Sequence, residues 1–273
     1  MSWDKETLLA RIDDAARRIR HEAGSPCPPE IAAYARALPD GRRESAVVLG
    51  MTPELRTLAL SRFERVVSID MSPEAVAAFG EWPEGREREE IVQADWRDLP
   101  RYARGVDAVL TDGGFPNSSD VDGMGELLTC VRDVLRPGGR LVTRHPVVPE
   151  GLDLDAESHP RLVARYREGS LDPAEFGFGM RLLGHLRCCW DGKHLDNVRL
   201  FAEIDSDQAL TDAERVLISR YVFNGRNVLL SAGEWERLLV GRGYEFAVEV
   251  LTGRDWYRYY PVYSATPAGS GTG

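Results

Sequence analysis

The sequence has no long hydrophobic run, and this lack excludes a membrane-spanning protein. No apolar stretch among its 273 residues approaches the roughly 20 that a transmembrane helix needs. The N-terminus, MSWDKETLLARIDD, is charged where a secretory signal peptide is apolar. The sequence therefore predicts a cytoplasmic protein with no membrane partner.

Positive charge is also scarce. The chain has 34 Lys and Arg against 44 Asp and Glu, a net charge of −10, and its only lysines are Lys5 and Lys193. Proteins that bind duplex nucleic acid usually gather a basic patch, because phosphate neutralisation supplies most of their affinity. The arginine clusters of this chain lie among acidic residues instead. Nucleic acid is therefore a disfavoured partner.

Cysteine is sparse, and the four cysteines form no C-x-x-C pair. Cys188 and Cys189 are adjacent in sequence, which places them badly for bridging each other. His185 and His194 flank that pair, but the spacing matches no common zinc module. We therefore expect reduced, partly buried thiols and no metal site.

From residue 45 onward, short apolar runs alternate with helical patterns. The predicted strands are residues 45–49, 66–69, 91–93, 106–111, 140–143, 245–251 and 260–265. Continuous apolar strands separated by helices indicate a parallel sheet that is covered on both faces. The sequence therefore predicts an α/β fold with a doubly wound, mostly parallel, seven-stranded sheet.

Two further regions flank or interrupt this sheet domain, which takes residues 42–149 and 233–266. Apolar residues at helical spacing over 8–19 and 29–38 predict an N-terminal helical lid, residues 1–41. Residues 150–232 contain helical patterns without the strand–helix repeat, so we expect a helical cap inserted after the fifth strand. Such a cap would lie over the carboxyl ends of the strands, where open α/β sheets bind ligands.

The first strand–turn–helix contains a single glycine. Gly50 allows the backbone to turn sharply and to approach a ligand closely. Thr52 suits an N-cap and Pro53 suits the first helical position. The turn lacks the G-x-G-x-x-G fingerprint, which argues against a dinucleotide with a diphosphate group.

Aspartates follow the next three predicted strands, at Asp70, Asp95 and Asp112. A carboxylate at the position of Asp70 can accept hydrogen bonds from both ribose hydroxyls of a nucleoside. Each aspartate alone would also fit a helix cap or a turn. Together they favour a nucleoside ligand that carries positive charge.

These motifs, in this order, resemble those of the class I S-adenosylmethionine-dependent methyltransferases, which have a Rossmann-like fold. The segments that carry the resemblance are residues 50–55, Asp70, residues 94–96, Asp112 and residues 135–140. The first motif departs from the family pattern, because it lacks the usual acidic residue and the paired glycines. The resemblance covers about residues 45–145, with weaker support over 233–266.

The resemblance implies that S-adenosyl-L-methionine is the cofactor. It implies that Gly50, Met51 and Thr52 line the methionine part. It also implies that Asp70 holds the ribose, with Met71 beside it.

The same resemblance places the other two aspartates. Asp95 would meet the adenine amino group, with Trp96 packed beside the ring. Asp112 and Gly113 would border the methionine amino group and the sulfonium. An acidic protein suits a cationic sulfonium donor, whereas it would repel a phosphate-rich cofactor.

Two residues have alternative interpretations that the sequence leaves open. His145 follows the fifth strand and is the candidate catalytic residue, a general base at the mouth of the site. The alternative is a strand-end histidine bonded to the backbone. Tyr34 can either fold over the methionine carboxylate or pack in the core.

The sequence thus predicts a methyltransferase that acts on oxygen or nitrogen of a small molecule, with natural-product biosynthesis as one setting. Three alternatives stay open: a peptide or protein acceptor, a nicotinamide-dependent Rossmann oxidoreductase, and a non-catalytic nucleoside-binding module. The sequence also leaves open a homodimer and metal assistance. Methyl transfer depends mainly on orientation and exclusion of water, which a cap would provide.

Overall fold

The computed structural model describes residues 12–13, 18–19, 24–41, 43–154, 158–220 and 225–269. The described strands are β1 (Ile12–Asp13), β2 (Arg18–Ile19), β3 (Ser45–Leu49), β4 (Arg65–Asp70), β5 (Glu89–Gln93), β6 (Val106–Asp112), β7 (Leu135–Arg144), β8 (His194–Asp196), β9 (Arg226–Val228), β10 (Tyr244–Glu249) and β11 (Val262–Pro267). The described α-helices are α1 (Pro28–Ala37), α2 (Pro53–Arg62), α3 (Pro73–Phe79), α4 (Val121–Val134), α5 (His159–Arg167), α6 (Pro173–Gly184), α7 (Asn197–Ser206), α8 (Asp212–Ser219) and α9 (Ala232–Gly241). Among these described helices, none has the length and apolar character needed to cross a membrane.

A seven-stranded sheet forms the centre of the chain, in the order β5-β4-β3-β6-β7-β11-β10. Strand β11 runs antiparallel to both of its neighbours, and the other adjacent pairs are parallel. The strand order reverses direction at β3 and β6, and at such a switch point the loops at the carboxyl ends diverge to leave a crevice. The predicted doubly wound, mostly parallel seven-stranded fold is confirmed.

The two faces of the sheet bury separate cores, because side chains alternate along each strand. In β3, Val47 and Leu49 face the core formed with α4 and α9. Ala46 and Val48 face the core formed with α1 and α2. Every residue of β3 is buried, as expected for a central parallel strand.

The N-terminal region differs from its predicted helical form. Within residues 8–19, the described segments β1 and β2 pair antiparallel, with Ile12 opposite Ile19, and the rest lies outside the described residues. A β-branched residue such as isoleucine favours extended pairing, so apolar spacing alone was a poor guide here. The second predicted helix is present as α1, which packs on β7, β11 and α2.

Within 150–232, the described residues form a helical layer with a core of its own, built from α5, α6, α7 and α8. A π-helical turn, His185–Cys189, follows α6 directly. Helix α7 and the short antiparallel pair β8–β9 were not predicted. The two strands have only three residues each, which is too few for a periodic pattern. The two ends of this segment meet, since Val148 and Ser231 form a parallel bridge.

Candidate functional site

The turn after β3 has the sharp geometry that the sequence predicts. Gly50 has φ +101°, a conformation that side chains rarely allow, and its N–H donates to the carbonyl of Ile69 at 2.8 Å. Met51 is buried against α3. Thr52 occupies the N-cap position of α2, but its side chain makes no capping hydrogen bond. The turn therefore brings the backbone of residues 50–52 against the end of β4.

Asp70 ends β4 beside this turn and is 8% exposed. One carboxylate oxygen accepts the N–H of Ser72 at 2.8 Å. Burial raises the pKa of Asp70, and hydrogen bonds from the backbone of Ser72 and Met51 oppose that rise. The side chain of the next residue, Met71, is 48% exposed. The carboxylate thus faces the Gly50 turn and keeps acceptor capacity for a ligand.

Asp95 caps the 3₁₀ helix Trp96–Arg101 and is held by Arg97. Its oxygens accept the backbone N–H of Arg97 at 2.9 Å and the guanidinium at 3.0 and 2.6 Å. These hydrogen bonds lower the pKa of Asp95. In this structure Asp95 therefore makes the helix-cap contacts that the sequence offered as its alternative role.

The Trp96 indole lies across the carboxyl ends of the central strands. Its Nε1–H donates to the carbonyl of Ile69 at 2.7 Å, the same carbonyl that accepts the N–H of Gly50. A Cβ on Gly114 would lie 3.0 Å from the Trp96 ring, and one on Gly50 would lie 3.8 Å from it. The ring therefore packs between the two glycine-containing loops that border the site.

Asp112 ends β6 in a buried ion cluster that the sequence did not predict. Arg144, at the end of β7, donates Nε to one Asp112 oxygen at 2.7 Å and Nη2 to the other at 3.0 Å. Its Nη1 lies 3.0 Å from both carboxylate oxygens of Glu30 on α1. The Arg144 side chain is 2% exposed. Burial raises the pKa of Asp112, and the charge of Arg144 acts against that rise.

Two neighbours of this cluster fix the backbone around it. The N–H of Gly113 donates to the carbonyl of Arg144 at 2.8 Å. The hydroxyl of Tyr34 donates to the carbonyl of Thr111 at 2.7 Å and accepts the N–H of Arg144 at 2.5 Å. Tyr34 is fully buried, so its contacts support the packing role rather than the lid role.

Glu54, in the first turn of α2, is a further acidic residue at the site. Its Oε1 accepts from the hydroxyl of Ser25 at 3.4 Å, whereas Oε2 is buried without a hydrogen-bond partner. Burial raises the pKa of Glu54, and the negative charge of Asp112 adds to the rise. An acidic residue in a first helical turn usually complements the helix dipole, so its sequence position gave no functional signal.

His145 lies in the core and not at the mouth of the site. Its ring stacks on Trp235 with centroids 3.6 Å apart, and it is 1% exposed. Burial lowers the pKa of His145 to about 3, and its Nδ1 is buried without a partner. The ring is therefore neutral and shielded, which argues against proton transfer with a substrate at the cleft.

A buried polar chain connects the segment 150–232 to the loop after β6. His185 Nε2 lies 2.8 Å from Oδ1 of Asn197, whose Nδ2 donates to Asn227 at 2.9 Å. Nδ2 of Asn227 donates in turn to Oδ1 of Asn117 at 3.1 Å. Because unmet buried hydrogen bonds are costly, this chain fixes the position of the segment over the sheet edge.

The fold thus gathers most of the predicted site residues at the carboxyl edge. Gly50, Met51, Asp70 and Trp96 meet around the carbonyl of Ile69, and Asp112 lies in the Arg144 cluster. Glu30 on α1, Glu54 on α2 and Arg144 on β7 were not predicted as site residues. No signal in the sequence connects those positions, because their contacts span 29 to 114 residues.

Part of the chain matches a known family model. Residues 49–143, which contain the Gly50 turn and all three strand-end aspartates, match the family model described as a methyltransferase domain. No curated protein matches the chain.

Solved structures share the fold over nearly the whole chain. The CcbJ methyltransferase from Streptomyces caelestis is 14% identical, with a TM-score of 0.58 over 98% of this chain and 100% of that one. The DhpI complex with SAM and HEP is 19% identical, with a TM-score of 0.51 over 96% and 97%. A Rhodobacter sphaeroides protein described as a Zn-dependent alcohol dehydrogenase is 15% identical, with a TM-score of 0.60 over 97% and 99%. At such low identities these likenesses show the fold alone.

Proposed function

We propose that this chain, which contains a class I S-adenosylmethionine-dependent methyltransferase domain, transfers a methyl group to oxygen or nitrogen of a small molecule. The cofactor of this domain is S-adenosylmethionine. The observation that carries the proposal is the charge at the carboxyl edge, where Asp70, Glu54 and the Glu30–Arg144–Asp112 cluster leave an excess of carboxylates. An acidic cleft attracts a cationic donor and repels a phosphate-rich one.

The residues at this edge fit the cofactor. The positive φ of Gly50 opens the backbone for close approach. Asp70 can accept hydrogen bonds from two ribose hydroxyls, because among the described residues it pairs with no arginine or lysine. The unpartnered Oε2 of Glu54 can accept from the methionine ammonium. Glu54 thereby supplies the acidic group that the first motif lacks.

When bound, the cofactor supplies an electrophilic methyl group on a sulfonium. The chain's own residues then bind, orient and exclude water, which can account for much of the acceleration of an in-line displacement. The segment 150–232 is suited to this work, because the His185–Asn197–Asn227–Asn117 chain holds it over the site. We include this segment in the proposal as the substrate cap.

A small acceptor fits the acidic surface and the cap better than nucleic acid does. The net charge of −10 provides no general attraction for phosphate backbones. Because His145 is buried, we assign no general base to the reaction. The acceptor's proton would then leave to solvent or to a group on the acceptor itself.

The proposal is tested in two steps, first by cofactor binding and then by turnover. Calorimetry should show binding of S-adenosylmethionine and no binding of NADH to the full chain. Incubation with a panel of phenols, alcohols and amines should then release S-adenosylhomocysteine with at least one acceptor. Preference for NADH would contradict the proposal, whereas cofactor binding without turnover on any acceptor would favour the non-catalytic module.

Glu54→Gln tests the assignment of the methionine end. Because the amide removes the charge but keeps the shape, we expect S-adenosylmethionine affinity to fall roughly 10-fold, the loss of one charge-assisted hydrogen bond. Glu64→Gln, on the exposed turn before β4, is the matched control and should bind normally. Equal affinity in the two variants would remove Glu54 from the site.

A further inference from the structure

Three potential metal ligands meet in the cap, far along the chain from the cofactor residues. Cys188 and Cys189 lie in the π-helical turn that follows α6, and Glu203 lies on α7. The two sulfurs and a Glu203 carboxylate oxygen lie within 4.8 Å of one another. The fold therefore adds an acidic residue to the cysteine pair whose sequence spacing matched no zinc module.

The histidines that flank the pair in sequence do not join it. His185 makes hydrogen-bond contacts through both ring nitrogens, with the carbonyl of Arg181 at 3.0 Å and with Asn197 at 2.8 Å. Nδ1 of His194 lies 3.5 Å from Oδ2 of Asp191. Neither imidazole belongs to the group formed by Cys188, Cys189 and Glu203.

A different histidine approaches from α5. Nε2 of His159 is buried without a hydrogen-bond partner, and the ring bonds through its other nitrogen to the backbone of Met180. Donation of Nδ1–H to a carbonyl leaves the Nε2 lone pair available, the arrangement usual for metal-binding histidines. The ring touches Gly184, the residue before the π-helical turn, where a Cβ would lie 3.6 Å from Nε2.

The geometry of the cluster suits a four-coordinate ion. Ligands at about 2.0–2.3 Å from zinc lie about 3.3–3.8 Å apart in a tetrahedron. The three ligand atoms lie within 4.8 Å of one another, so zinc binding requires only small shifts, which Glu203 can make because its side chain is 40% exposed. Glu203 now pairs with Arg199 at 3.1 Å, an exposed contact that costs little to break.

We propose that Cys188, Cys189 and Glu203 bind a zinc ion within the cap. His159 Nε2 lies outside the three-residue group and has no hydrogen-bond partner among the described residues, so it is the proposed fourth ligand after a movement towards the sulfurs, and the ion then joins α5, the π-helical turn and α7. Thiolate, carboxylate and imidazole are all established zinc ligands, and a site with four protein ligands is structural. Binding releases the two thiol protons to solvent.

A structural zinc ion would stabilise the cap. The cap builds its own core from four short helices and is attached to the sheet domain at its two ends. Small units with limited cores are often stabilised by a metal. The ion would stiffen the cap while leaving the carboxyl edge of the sheet untouched.

Cobalt titration tests the site directly, because Co²⁺ takes the place of zinc and reports its ligands. The full chain is treated with a chelator under reducing conditions and titrated with Co²⁺. We expect one ion per chain, a thiolate charge-transfer band in the near ultraviolet, and visible bands of tetrahedral intensity. Absence of the charge-transfer band would overturn the proposal.

Matched variants identify the ligands. Cys188→Ser and Cys189→Ser should each reduce cobalt affinity at least tenfold and weaken the band, whereas Cys130→Ser, which changes a half-buried cysteine elsewhere, should change neither. Glu203→Gln and His159→Gln should also weaken affinity at least tenfold. Wild-type affinity in His159→Gln would overturn its role as fourth ligand, and wild-type affinity in both cysteine variants would overturn the site.

Zinc should also raise the melting temperature of the wild type and of Cys130→Ser, but not that of the Cys188→Ser/Cys189→Ser double variant. S-adenosylmethionine binding by the double variant shows that its sheet domain is folded. Because both readouts are independent of methyl transfer, they test the zinc site separately from the proposed function.

Discussion

Asp70 and Asp112 end parallel strands at the same edge of the sheet, yet their surroundings differ. Asp70 accepts hydrogen bonds from backbone N–H groups. Asp112 accepts hydrogen bonds from Nε and Nη2 of Arg144, and Nη1 of Arg144 contacts Glu30. A carboxylate bonded to backbone amides keeps lone pairs for a ligand, whereas a bidentate ion pair uses them. Equivalent positions in the fold thus differ: the Asp70 carboxylate keeps acceptor capacity, whereas that of Asp112 is paired with Arg144.

Removal of Arg144 should have the largest effect. Arg144→Met leaves Glu30 and Asp112 buried without their cation, and we expect the free energy of unfolding to fall by about 3–5 kcal/mol. Urea denaturation measures this loss. Arg101→Met, which breaks an exposed pair with Asp98, should cost less than about 1 kcal/mol.

A double variant makes the Arg144 test specific. Asp112→Asn in the Arg144→Met background removes one of the stranded charges, so its cost should be well below the sum of the single costs. Additive costs, or a loss below about 1 kcal/mol in Arg144→Met, would contradict the ion-cluster interpretation.

Asp70→Asn should leave stability nearly unchanged and weaken cofactor binding. Loss of a charged acceptor for two hydroxyls should cost about 1.5–3 kcal/mol, or roughly a 10- to 150-fold rise in the Kd of S-adenosylmethionine. Calorimetry compares this variant with Asp133→Asn, an exposed change on α4. Unchanged affinity in Asp70→Asn would remove the residue from the cofactor site.

The pH dependence sharpens the same contrast. Burial raises the pKa of Asp70, so its carboxyl becomes protonated at a higher pH than an exposed aspartate does. Cofactor affinity should therefore fall as pH is lowered through that pKa. The contribution of Asp70 to the free energy of unfolding has the opposite sign: it is present at low pH and is lost as pH rises through that pKa. Calorimetry between pH 4 and 7 in the wild type and Asp70→Asn checks this expectation. A slope that persists in the variant would assign the titration to another group.

His145→Gln should have the smallest effect on turnover. Its pKa of about 3 and its stacking on Trp235 make it a neutral core residue, so we expect kcat to change less than about fivefold. The loss of stacking should cost roughly 0.5–1.5 kcal/mol of stability. A hundredfold fall in kcat, with cofactor affinity preserved, would restore the general-base hypothesis.

Most of the sheet and part of the candidate site could be predicted from the sequence, for physical reasons. Continuous apolar runs such as Ser45–Leu49 mark buried parallel strands, and their ends place Gly50 and Asp70 correctly. Asp95 was ambiguous from the start, because Arg97 two residues later competes with any ligand. The partner of Asp112 could not be inferred, since only the tertiary fold brings β7 and α1 to it.

The bridge between Val148 and Ser231 has a consequence for how such a protein can change. A segment whose two ends leave the sheet side by side is, for the rest of the chain, a surface loop. Its length is weakly penalised, because the entropy of closing a loop grows only with the logarithm of its length. A segment of different length and shape can therefore be exchanged at this junction while the Gly50 turn and Asp70 stay as they are.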